Sequence, residues 1–79
     1  MTRLEFIRAY REELIATYSW AACSASRLDR YCDSVVAALN GRNTWNCEAA
    51  PALILAMRRI GLHPVKGKRA NLAMLRALP

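Results

Sequence analysis

The segment Gly61-Leu62-His63-Pro64-Val65-Lys66-Gly67-Lys68-Arg69-Ala70-Asn71 gathers residue types suited to chemistry: two glycines, a proline, the only histidine and three strong cations. Phosphate-gripping loops draw on the same types. A P-loop needs Gly, four residues, then Gly-Lys-Ser/Thr, placed between a strand and a helix. Here five residues separate Gly61 from Gly67, and Arg69 stands where the hydroxyl for magnesium belongs. The segment also follows a helical pattern, not a strand. Nucleotide hydrolysis is therefore not expected. A nucleophilic enzyme would pair His63 with Cys32 or Cys47. Residues 49–79 contain no carboxylate to orient that imidazole. The expectation is a non-enzymatic protein without a cofactor.

Metal chemistry fares no better. Cys23, Cys32, Cys47 and His63 are 9, 15 and 16 residues apart, and these spacings match no common zinc module. The three cysteines are odd in number and lack a CxxC pair, as in reduced intracellular proteins. Three free thiols on apolar helix faces and no bound metal are predicted.

Charge is the more informative signal. Residues 1–48 hold six arginines (3, 8, 11, 27, 30 and 42) against six acids (5, 12, 13, 29, 33 and 48). Residues 49–79 hold Arg58, Arg59, Lys66, Lys68, Arg69 and Arg76 and no acid, so the net charge of +6 lies there. One-sided charge of this kind is the footprint of a polyanionic partner. Lys66, Lys68 and Arg69 are the expected phosphate contacts, with Arg58, Arg59 and Arg76 flanking them. Asn71 has an amide able to read an adenine edge.

These residues need elements to hold them. Leu4, Ile7, Tyr10, Leu14, Tyr18 and Ala21 recur at helical steps and predict a helix over about Thr2 to Trp20. Arg8 and Glu12, four apart, can pair along it. Ser26-Arg27-Leu28-Asp29 resembles a capping box, and Ser24 is a second candidate cap. Leu28, Cys32, Val35 and Leu39 then carry a second helix to Asn40-Gly41. Asn43, Thr44 and Asn46 are candidate caps before a third helix from about Ala49 to Ile60, with Trp45 in its lead-in and Pro51 in its first turn. Gly61-Leu62 suits a Schellman stop. Leu72, Leu75 and Leu78 predict a last helix from about Lys68 to Leu78. Leu14, Val35, Leu53, Met57, Leu72 and Leu75 should share one core. The aromatics Tyr10, Tyr18, Trp20, Tyr31 and Trp45 offer stacking surfaces for bases, but a core this small needs them more.

The expected fold is a single small all-α domain of four helices over residues 1–79. Its last two helices would form a helix-turn-helix-like hairpin that presents the basic residues at the start of the fourth helix. The Gly61–Gly67 connection is longer than the usual turn of about three to four residues. The apolar run Ala49–Met57 is short of the roughly 20 residues that span a bilayer, and the first residues lack an apolar signal region. A cytoplasmic protein that avoids membranes is expected. The expected function is nucleic-acid binding, DNA before RNA, because no RNA-module pattern is present. The alternative is an inhibitor or adaptor module that docks on an acidic protein surface, with a homodimer as its variant form.

Overall fold

The computed structural model describes residues 1–41 and 49–79. Four α-helices and no strand are found among them. Arg42, Asn43, Thr44, Trp45, Asn46, Cys47 and Glu48 lie outside the described residues, and with them the expected caps of the third helix, the Trp45 lead-in and the third thiol.

Helix α1 spans Arg3–Thr17. Thr2 caps it by accepting the Glu5 N–H at 3.1 Å, and its hydroxyl donates to Glu5 Oε1 at 3.3 Å. Thr2-Arg3-Leu4-Glu5 is thus a variant of the capping box that the periodicity alone did not bring out, with an acid near the positive end of the helix dipole. The helix ends three residues before the predicted Trp20. Tyr18 is extended, and the chain recoils in a 3₁₀ turn over Ser19–Ala22. The break sends Trp20 back onto the second helix, where it meets Tyr31 with ring centroids 4.7 Å apart.

Helix α2 spans Ala25–Leu39 and is capped by Ser24, which accepts the Arg27 N–H at 3.4 Å. The box expected at Ser26 is not the cap, because Ser26 already lies inside the helix. Helix α3 spans Ala50–Arg59, with Pro51 in the first turn as expected. It stops in a Schellman motif: Gly61 N–H reaches Arg58 O at 3.0 Å and Leu62 N–H reaches Met57 O at 2.9 Å. Gly61 has a φ of 93°, which an L side chain rarely adopts, and Leu62 folds back onto the core. Helix α4 spans Lys68–Arg76, two residues shorter than its apolar pattern.

Helix α1 is central and packs on both α2 and α3, while α4 docks chiefly on α2. Phe6, Tyr10, Leu14, Val35, Leu53, Met57 and Leu75 are the largest fully buried side chains. Five of the six expected core residues are among them, and Leu72 packs half-buried against them. Three ion pairs among the described residues tie α1 to its neighbours. Arg11 meets Asp29 of α2 at 3.0 Å, and Arg59 of α3 meets Glu12 at 2.8 Å and Glu13 at 3.6 Å. Glu12 therefore serves α3, not Arg8 on its own helix. Because α4 leans on α2 and residues 60–67 separate it from α3, the last two helices are not the tight unit of a standard helix-turn-helix.

Candidate nucleic-acid interface

The connection between α3 and α4 is held from within. Asn71, one turn into α4, is only 4% exposed. Its Oδ1 accepts the Val65 N–H and its Nδ2 donates to the Val65 carbonyl, both at 2.9 Å. This two-pronged clamp fixes the middle of the connection against the start of the helix. It also corrects the role expected of Asn71. A base edge would need the same donor and acceptor that Val65 occupies, on a side chain that solvent scarcely reaches.

Around this clamp the predicted cations divide into two groups. Arg58, Lys66, Lys68 and Arg69 are exposed and flank the connection, together with exposed His63. Gly67 precedes α4 as its cap residue and provides no side-chain cap. The positive end of the helix dipole therefore adds to the local potential. Arg59 and Arg76 are committed elsewhere. Arg59 is chelated by Glu12, whose oxygens lie 2.8 and 3.1 Å from its Nη2. Arg76 sends Nε and Nη2 to the Ala38 carbonyl at 3.0 and 2.8 Å, on the last turn of α2. The fold assigns these two side chains to a carboxylate of α1 and a carbonyl of α2, partners far from them in the sequence.

Arg3, from the charge-balanced half, reaches the end of α4: its Nη2 donates to the Arg76 carbonyl at 2.7 Å, and its backbone N–H donates to Pro79 O at 2.8 Å. It caps α4 from the far end of the chain. Nothing in local spacing signals this, since the partners are 73 residues apart.

Among the described residues, no three His, Cys, Asp or Glu side chains converge as a metal set requires. Cys23 is exposed and Cys32 is buried. Burial pushes the Cys32 thiol above its ordinary range, against the opposing pull of the Arg11 guanidinium 3.9 Å away. No described helix is long and apolar enough to cross a membrane. No family model, curated protein or solved structure matches the chain, so its geometry alone must suggest what it binds.

Proposed function

We propose that the protein binds nucleic acid, duplex DNA in the first instance, through the basic corner formed by Arg58, Lys66, Lys68 and Arg69. The observation that carries this reading is the exposure of four cations around one clamped connection, in a part of the chain that contains no acid. The connection is rigidified by Asn71, so a phosphate backbone would meet cations already in place. With the Asn71 amide engaged on Val65, the corner has no reader of an adenine edge. Binding should therefore be dominated by phosphate contacts and be nearly independent of sequence.

Fluorescence anisotropy of a labelled duplex across a salt series tests this. Four phosphate contacts predict a slope of log K on log salt of about −3.6, at roughly −0.9 per contact. Lys68→Ala or Arg69→Ala should flatten the slope by about 0.9 and weaken binding to every sequence alike. Arg8→Ala, at an exposed position of α1, is the control. No salt-dependent binding by the unsubstituted protein defeats the proposal. Val65, 51% exposed amid these cations, favours the second reading, an acidic protein surface with an apolar spot. That reading gains if DNA and RNA both fail to bind.

A further inference from the structure

Helices α1 and α3 run antiparallel and border a groove lined by Glu5, Arg8, Ala9, Glu12, Arg59 and Ile60. The direction follows from the contacts. Arg59 reaches Glu12, Ile60 lines the groove with Glu5 and Ala9, and the Met1 sulfur lies against Gly61. One turn beyond the Glu12–Arg59 pair, both rims become apolar. Ile15 follows Glu12 by three residues on α1, and Leu55 precedes Arg59 by four on α3, spacings that make helix residues surface neighbours. Ile15 is 47% exposed and Leu55 40%. Toward the other end of the groove, Leu4 precedes Arg8 by four and is 56% exposed. Among the described residues five large apolar side chains are exposed, and three of them share this face. Apolar side chains scattered singly over a surface are ordinary, whereas a group on one face marks an interaction surface.

We propose that this face binds a second copy of the chain in a two-fold symmetric dimer. Charge selects the occupant. Between its apolar side chains the groove carries two acids, Glu5 and Glu12, and two arginines, Arg8 and Arg59. The face is therefore neutral on a chain whose net charge is +6. A polyanion would meet the acids, and a basic protein would be repelled by the rest of the chain. A patch of mixed sign is matched by its own rotated copy, because a two-fold contact sets the same residues against one another. Acids of one copy then face arginines of the other, and Leu4, Ile15 and Leu55 cover apolar surface across the axis. The area agrees with a weak contact. Helix α1 has 15 residues, so two helices packed side by side present a face of about 22 by 18 Å. Roughly 400 Å² in projection is at the low end of specific interfaces and short of an obligate one. None of the four cations of the basic corner lines this groove, so the dimer does not rest on the DNA-binding reading.

Sedimentation equilibrium of protein freed of nucleic acid, from about 1 μM to about 1 mM, covers the range in which such a contact equilibrates. The 8.9 kDa monomer should pass reversibly to twice that mass and stop there. Ile15→Glu with Leu55→Glu should raise the dissociation constant at least about tenfold, because four carboxylates then enter a face that already holds acids. Both positions are exposed, so the fold should survive, as circular dichroism would verify. The double variant also lowers the net charge of +6 by two, so general repulsion between copies cannot explain the loss. Leu4→Ser, which adds no charge, should weaken the dimer by a smaller factor and replaces the double variant if that one fails to fold. Val65→Glu, at the exposed apolar side chain of the basic corner, should leave the dimer intact, as should Lys68→Ala with Arg69→Ala. A monomer throughout the range overturns the proposal. So does a dissociation constant that neither the double variant nor Leu4→Ser changes, a dimer lost equally in Val65→Glu, or a mass that keeps growing past two copies.

Discussion

Replacing Asn71 with alanine separates a clamp from a base reader. The change removes two neutral hydrogen bonds of 2.9 Å from a side chain that is 4% exposed. Each is worth about 0.5–1.5 kcal/mol net, or about 1–3 kcal/mol together. Val65 is half exposed, so water can reach the backbone groups that Asn71 releases, and the lower part of that range, about 1–2 kcal/mol, applies. A domain of this length has roughly 4–12 kcal/mol of stability in all. At about 4–8 °C per kcal/mol for a small domain, the melting temperature should fall by roughly 4–16 °C. Far-UV circular dichroism measures the melt. Anisotropy with several duplex sequences, well below both transitions, measures binding. Affinity should fall by a similar factor on every duplex, because the cations lose their common support. A variant that melts like the parent while changing its ranking of sequences would refute the clamp and restore Asn71 as a reader.

Other consequences are testable with simpler variants. Glu12→Ala with Glu13→Ala frees Arg59 from its acids, so the salt slope of DNA binding should steepen by about 0.9, whereas Arg59→Ala alone should leave it unchanged. Leu14→Ala or Leu53→Ala, at positions almost wholly buried, should each cost about 2–5 kcal/mol and lower the melting temperature sharply. In native protein, Cys23 should react rapidly with an alkylating agent and Cys32 slowly, read by mass spectrometry of digested fragments, because Cys32 is buried and its thiol is pushed up. Cys32 and Tyr10 hold their protons more tightly folded than unfolded, both chiefly through burial. Above the ordinary thiol range the unfolded chain therefore binds fewer protons, and stability should decline as pH rises through about 8.5 and again near 10, as melts at stepped pH would reveal.

Helices were readable in the chain wherever one face stays apolar over several turns. The stripes through Leu14, Val35, Leu53 and Leu75 all end in the core. The Gly61-Leu62 stop was equally legible, since a left-handed residue followed by an apolar one has a specific hydrogen-bonding solution. The end of α1 was not. Apolar periodicity continues through Tyr18 and Ala21, whereas the helix breaks at an extended Tyr18 and Trp20 packs on Tyr31 of α2, a contact between separate helices that periodicity does not encode. Asn71 was misjudged for a related reason. An asparagine near a helix start is equally suited to a base edge and to a backbone amide, and the choice depends on where Val65 lies after folding.

Arginine placement carries the same lesson into the functional reading. Arg3 sits on the carbonyl end of α4, and Arg76 sits on that of α2. A helix end has carbonyls without intrahelical donors and a partial negative charge, so a guanidinium there satisfies both needs at once. Arg3 does so incompletely, since its Nε is buried with no hydrogen-bond partner among the described residues. Positive charge in this chain thus has two origins, helix capping and surface potential, and only the second is available to a ligand. Of the six cations in residues 49–79, all exposed, Arg76 is engaged on a carbonyl of α2 and Arg59 on acids of α1, while Arg58, Lys66, Lys68 and Arg69 flank the connection. A salt slope nearer six contacts than four would mean that a partner strips Arg59 and Arg76 from their intramolecular sites. Arg3→Ala is for the same reason a poor control for charge, because it removes a cap from the helix that presents Lys68 and Arg69. Arg8 is exposed and holds none of these helix ends, so its removal changes the charge while leaving the geometry of the basic corner in place.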